Sequence, residues 1–364
     1  MQRTDAPDEG RILVDPYREW LAREGLPVAG GFGVDLLEVD VAPWARTDAK
    51  AGVVLLDGRG DFVDLVVTEL APGSSTSPQR HLYEEVVYVL SGTGTTTVEL
   101  PGGRRRTFEW KEGSLFALPL NAPYRHHNSS GRNAARFAAV TDLPLTINVY
   151  RNERFIFEND FAFSERAGAD KHYQGDGDFR PVRPGRHLWE TTFVPDLRAF
   201  ELQEWKARGA AGSNIVFALA EGTMHAHISE MPVGTYKKAH RHGPDFHVFA
   251  VSGHGYSLYW YEGDRELRRF DWKHGAVFAP ADRQLHQHFN TSSEPARYLA
   301  IAFGSLRYPT VADKKATWLG MDVSVKEGGR QIEYEDEDPR ILRIYEEELA
   351  KHGVRSRMRD LIRA

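Results

Sequence analysis

The sequence predicts an all-β protein made of two antiparallel jelly-roll barrels with short peripheral helices. Three observations carry that expectation: the chain repeats itself, its apolar residues alternate with a period of two between glycine-containing turns, and clear helix-start signals stand near its two ends. Sliding the chain over itself by about half its length brings Gly73 onto Gly234 and Arg80-His81 onto Arg241-His242. It also brings Ser91-Gly92-Thr93-Gly94 onto Ser252-Gly253-His254-Gly255. With one inserted residue between Gly255 and Phe270, the stretch from Phe108 to Gly113 falls on Phe270 to Gly275, and His126 and Asn128 fall on His288 and Asn290. A turn absorbs such an insertion at least cost.

Within each copy the strands read as short runs. They are VVTELAPG, EEVVYVLSGTGTTTVEL, GSLFALP and ARFAAVT in the first, and HISEMPVG, HVFAVSGHGYSLYWYEG, GAVFAPADR and RYLAIAFG in the second. Asp15-Pro16 opens a helix reaching about Gly25, and Asp338-Pro339 opens another running to about Lys351 with Gly353 as its stop. The stretch from about Ser164 to Pro184, dense in Gly, Asp, Arg and Pro, reads as a loop between the copies. The expected division is an N-terminal extension (1–59), an N-terminal barrel (60–150), an inter-barrel segment (151–222), a C-terminal barrel (223–306) and a C-terminal helical extension (307–364).

Composition narrows the function. The 364 residues carry 46 Lys+Arg against 52 Asp+Glu, a net charge of −6, and no basic stripe, which argues against sequence-independent nucleic-acid binding. The length exceeds what one hydrophobic core usually serves. With no cysteine, disulfides, thiolate nucleophiles, iron–sulfur clusters and Cys-ligated zinc are all excluded, so any metal must sit on His, Asp or Glu. No apolar run approaches the roughly 18 residues needed to span a bilayer, and the N-terminus lacks a secretory h-region; the expectation is a cytoplasmic protein without membrane contact. There is no G-x-S-x-G, no phosphate-cradling G-x-x-x-x-G-K-[ST] and no G-x-G-x-x-G that follows a strand and opens a helix.

The chemistry-bearing residues cluster in the second copy. His240 and His242 lie two apart on a strand and so can point at one place inside the barrel, and a neighbouring strand can supply His286 as a third imidazole. These segments resemble the two cupin motifs, G-x5-H-x-H-x(3,4)-E-x6-G and G-x5-P-x-G-x2-H-x3-N, and the chain from about 60 to 305 resembles a bicupin. The resemblance places His240 and His242 on the motif-1 histidines, Gly253 on its closing glycine, and His286 and Asn290 on the His and Asn of motif 2. It implies a divalent metal, usually iron or manganese, in the C-terminal barrel.

The motif-1 Glu position falls on Phe246, flanked by Asp245 and His247; Pro280 is one residue early, and the motif-2 Gly is replaced near Asp282. Three neutral imidazoles would leave Fe(II) its full 2+ charge, which favours an anionic chelating substrate. His-Arg-His without a Glu, joined to His286, His288 and Asn290, resembles the gentisate and salicylate ring-cleaving dioxygenases, bicupins with a three-His iron; in those enzymes the metal commonly lies in the N-terminal barrel instead. The resemblance implies a non-haem Fe(II) dioxygenase (Mn, Ni or Zn being alternatives) that takes an aromatic hydroxy-acid and O2, in a homo-oligomer of two or four chains. The rivals are an O2-independent metal-dependent decarboxylase, isomerase or lyase, and a non-catalytic ligand-binding bicupin.

In the first copy Gln79 stands at the position of His240 and Tyr124 at that of His286, while His81 matches His242 and Glu85 falls on the motif Glu. A barrel kept for packing and dimerisation is the favoured reading, with a second metal on His81, Glu85 and His126 as the alternative. Around the proposed centre, His288 is an acid/base candidate or a structural hydrogen-bonding residue. His225 and His227 either face the cavity as donors or proton carriers or stay half-exposed on their strand. Tyr236 and Lys238 share the parity of His240, so Lys238 either holds a substrate carboxylate or lies solvated at the rim. His247 could replace the missing Glu only if a bulge turns it inward. Trp110 and Trp272 recur in both copies and read as packing.

Overall fold

The computed structural model describes residues 13–309 and 322–363. The expected all-β architecture is present: two sandwiches follow one another, each pairing a large sheet with a three-stranded one. The small sheets have Thr93–Leu100 and His254–Trp260 at their centres, flanked by Arg104–Lys111 and Tyr124–Asn128 in the first and by Arg268–Lys273 and Leu285–Asn290 in the second. The shared Ser-Gly-x-Gly sequence has a packing cause: a Cβ on Gly94 would sit 2.2 Å from the Trp110 ring, and one on Gly255 would sit 2.7 Å from Trp272.

The duplication extends beyond the segments that align by eye. Val28–Gly31 runs parallel to Ala49–Leu56 in the first large sheet, and Arg186–Thr191 runs parallel to Ser213–Leu219 in the second. The halves also exchange strands: Gly33–Asp35 pairs with Ala276–Phe278 of the second barrel, while Phe193–Val194 pairs with Leu115–Ala117 of the first. Strands this short leave no periodicity to read. The stretch read as a loop from Ser164 to Pro184 instead ends in a hairpin, Asp178–Arg183 against Arg186–Thr191, after two single 3-10 turns. Asp178–Arg183 is an edge strand, where Pro181 is tolerated because one backbone edge needs no partner.

Both faces of each large sheet are buried. Val86, Tyr88 and Leu90 point at the other barrel, where they join Phe249, Val251, Leu299 and Ile301 in one apolar cluster; Val87 and Val89 point into their own barrel. The two interiors are filled differently. Phe108, Trp110, Phe116, Tyr124 and Phe137 pack the first solidly, whereas the second combines Val248, Ala250 and Ala300 with buried histidines.

Both expected helices form, as Pro16–Glu24 and Pro339–Lys351. Asp15 accepts a hydrogen bond from the Arg18 amide (3.0 Å) and Asp338 from that of Arg340 (2.9 Å), each capping its helix ahead of a first-turn proline. The C-terminal helix lays Ile341, Tyr345 and Leu349 on Tyr236, Tyr256, Leu258 and Phe289, covering the outer face of the second barrel's small sheet. No helix among the described residues is long and apolar enough to cross a membrane.

Candidate metal centre

His240 arrives on an extended segment that bridges His286, at the start of Leu285–Asn290, and His242 follows two residues later. All three are buried, at 6%, 5% and 1% exposure, and their ligand atoms lie within 4.8 Å of one another. Ring centroids are 4.2 Å apart for His240 and His286, 4.6 Å for His242 and His286, and 5.4 Å for His240 and His242. Burial holds each imidazole neutral: His242 is pushed down to about 4, and His240 and His286 fall well below the usual histidine range. For His240 the Arg208 guanidinium adds to that depression.

Hydrogen bonds at the far nitrogen decide which lone pairs are free. His242 Nδ1 lies 2.7 Å from the Gly243 carbonyl and His286 Nδ1 2.9 Å from that of Gln284. Carbonyls only accept, so both rings carry their proton on Nδ1 and present an unprotonated Nε2, the arrangement in which histidines bind metals. His240 differs. Arg208 Nη2 donates to its Nδ1 at 2.7 Å, which puts the proton of the neutral ring on Nε2. The donor set therefore fits a divalent cation at two of three positions as it stands, and at the third once Arg208 yields or the His240 proton leaves.

The cavity beside the trio is small, about 20 Å³. Arg186, Trp205, Arg208, His227, Phe246, His288 and Tyr298 line it with the trio, and among the described residues no carboxylate does. Phe246, at the motif Glu position, stacks on His242 at 4.0 Å between centroids, so an apolar ring stands where a fourth ligand would be expected. Arg186 is buried over the Trp205 ring (4.3 Å), and burial lowers it to about 10. The wall is thus strongly electropositive.

The other sequence candidates separate. His227 lines the cavity, and His225 lies behind it with its Nε2 2.7 Å from His227 Nδ1. His288 also lines it, its Nδ1 2.8 Å from Ser257 Oγ, which accepts from Trp272 Nε1 at 3.1 Å. Burial pushes His288 to about 3, so the ring is neutral and a weak base. The first barrel repeats this chain as Trp110, Thr96 and His126, at 2.9 and 2.7 Å. Trp110 and Trp272 do pack, as expected, and each also donates to the hydroxyl that fixes a histidine.

Lys238, read from the sequence as either holding a substrate carboxylate or lying solvated at the rim, forms an ion pair with Glu333, and Tyr236 bonds Glu337 instead of facing the cavity. The reason is a β-bulge. Tyr236 bridges Phe289 and His240 bridges His286, so the approaching strand has one residue more than its partner between those points, and parity reverses. Lys237 takes the inward position. His247 is buried away from the trio, its Nδ1 3.4 Å from the Asp245 carbonyl, and Asp245 accepts from the Gly60 amide at 2.7 Å. No bulge turns His247 inward.

In the first barrel His81, Glu85 and His126 do not form a metal-ligating group; among the described residues that geometry is met by His240, His242 and His286. Tyr124 closes the site by placing its hydroxyl 2.9 Å from His81 Nε2, while His81 Nδ1 bonds the Tyr83 carbonyl at 2.8 Å. Arg186, Arg208 and Lys237 escaped the sequence reading. The first two are brought to the cavity by tertiary packing, and the third is visible only once the bulge is known.

Residues 66–141 match the cupin domain family. A 5-aminosalicylate 1,2-dioxygenase from a Comamonas species is 33% identical over 88 residues, which are 24% of this chain and 22% of that relative; the match thus spans about a fifth of the relative's length. A solved structure of Bacillus subtilis oxalate decarboxylase at pH 4.6 superimposes with a TM-score of 0.47 at 17% identity, covering 75% of this chain and 76% of the other, and a deletion mutant of that enzyme gives 0.47 at 18%, covering 75% and 77%. The first barrel is a cupin domain, and the chain, which repeats its topology in a second barrel, has the bicupin fold.

Proposed function

We propose that the second barrel is a divalent-metal site and that the protein is a non-haem Fe(II) dioxygenase acting on a chelating, aromatic hydroxy-acid. The observation that carries this reading is the convergence of three buried, neutral imidazoles with no carboxylate among the described residues of the cavity wall. The partial similarity to 5-aminosalicylate 1,2-dioxygenase supports it. Bound there by His240, His242 and His286, Fe(II) would supply Lewis acidity and transfer of electron density from the anion to O2.

The chain's own residues supply the rest. Arg208 and Arg186 offer guanidinium donors to a carboxylate, the geometry at which arginine excels. Trp205, Phe246 and Tyr298 keep water from the reacting atoms. With its Nδ1 held by Ser257, His288 stands in the cavity wall as a neutral hydrogen-bonding group. The His225–His227 pair gives a second proton route at the opposite wall.

A second reading, O2-independent metal chemistry such as decarboxylation of a small acid, is favoured by the cavity itself, because about 20 Å³ admits an ion or a water-sized group and an aromatic ring enters only if side chains shift. Oxygen-electrode measurements on the iron-loaded protein with a panel of hydroxybenzoates decide between them. The expected result is O2 uptake in step with loss of the aromatic absorbance; turnover under strict anaerobiosis would replace the first reading with the second. Changing His240, His242 or His286 to Ala is expected to abolish both bound iron and turnover, and full iron occupancy in any of the three would remove the site.

A further inference from the structure

Lys237 is 1% exposed, and its Nζ has no hydrogen-bond partner among the described residues. The bulge turns it toward the barrel interior opposite His288, whose carbonyl accepts from the Lys237 amide at 3.2 Å. Its Nζ lies 5.9 Å from the centroids of both Trp205 and Tyr298, two rings that line the metal cavity. Lys238, one residue on, has Glu333; among the described residues Lys237 has no such anion. The acid that acts on it, Glu230, is committed to Arg297 at 2.7 Å, and the neighbouring charges of Arg186 and Arg208 are positive.

Leaving a buried amine unpaired costs several kcal/mol if it is charged, and an apolar side chain of similar length would remove that cost. A fold that keeps the lysine therefore holds it for something the protein itself does not contain. Burial and the two arginines push the amine down to about 7, so it is ready to take up full charge beside an arriving anion.

We propose that Lys237 is the recognition point for a second acid group of the substrate, so that the site takes an acid bearing one anionic group beyond the pair that chelates the metal. This rests on the metal reading above and narrows its substrate class. The chelating pair would be held at the histidine trio, and the additional carboxylate would reach the Lys237 ammonium, which lies outside the cavity lining behind Trp205 and Tyr298, as those two rings shift.

The test is calorimetric titration of the zinc-loaded protein with malate and with 2-hydroxybutyrate, which share a hydroxy-acid chelating pair and four carbons and differ by one carboxylate. Wild type should bind malate about tenfold tighter or more, the value of a charge-assisted hydrogen bond. Lys237→Met should abolish that preference while leaving 2-hydroxybutyrate affinity and zinc content within about twofold, and its melting temperature should stay level or rise. A purely structural lysine would give the reverse: a lower melting temperature with the malate preference intact. That result overturns the proposal, as does wild type showing no preference or binding neither acid. Running the same titrations on zinc-free protein separates the two readings. If both acids bind undiminished without zinc and Lys237→Met still loses malate selectively, the metal reading falls and the lysine assignment stands.

Discussion

At the scale of single residues, the Arg208–His240 hydrogen bond sets the state of the site. A guanidinium cannot accept, so the 2.7 Å contact ties up the one lone pair that neutral His240 keeps on Nδ1. It also places a positive charge beside the space a cation would enter. Replacing Arg208 with Met should raise affinity for Zn(II) or Co(II) by about fivefold or more in competition with a chromophoric chelator, since even well-screened charges interact by about 1 kcal/mol or more at such separations. A loss of affinity would mean that Arg208 orients His240 for binding instead. Phe246 makes the complementary case. Phe246→Glu should bring a fourth ligand to the face of His242, destabilising the metal-free protein by roughly 3 kcal/mol through an unpaired buried carboxylate. Metal should restore the melting temperature, and affinity for anionic ligands should fall.

At the scale of elements, the same Trp–hydroxyl–His chain stands in both barrels and serves different surroundings. In the first it braces His126 in an interior packed with aromatic rings; in the second it fixes His288 at a cavity wall. Trp110→Phe and Trp272→Phe should therefore each lower stability by about 1–2 kcal/mol in urea unfolding, through one lost buried hydrogen bond. Only Trp272→Phe should also weaken substrate turnover. Equal effects on turnover would separate His288 from the reaction. The bulge between Tyr236 and His240 shows how much one inserted residue decides: it exchanges the roles of two adjacent lysines without changing composition or charge.

At the scale of the whole molecule, the barrels are joined by a shared apolar core, by exchanged strands and by buried carboxylates, among them Glu84. Glu84 accepts from the Thr223 amide (2.5 Å) and the Met224 amide (3.1 Å) of the second barrel and pairs with Arg166. Its own amide donates to Asp142 at 2.7 Å. Burial first, and then the charge of Glu84, raise Asp142 to about 8. For an acid, a raised folded-state value means the fold resists ionisation. The unfolded chain loses this proton near 4 and the folded one near 8, so Asp142 takes stability away as pH climbs through that window. Asp142→Asn keeps a carbonyl for the Glu84 amide and cannot ionise. Its stability relative to wild type should accordingly rise from pH 5 to pH 8 and level off above it, as read by urea unfolding at fixed pH; a constant difference would show that Asp142 ionises normally.

The duplication, the strand-rich barrels, both capped helices and the histidine pattern were legible in the residues alone, because each rests on local chemistry: period-two alternation, Asp-Pro caps and residue types at fixed spacing. It also marked Phe246 as standing at a ligand position. Which side chains meet was set by the packing of the folded chain. The bulge put Lys237 rather than Lys238 inside, the packing of distant segments brought Arg186 and Arg208 to the histidines, and Tyr124 closed the first barrel over His81. Strand parity is a running count, and one extra residue inverts everything beyond it; no local pattern records where the partner strand omits that residue.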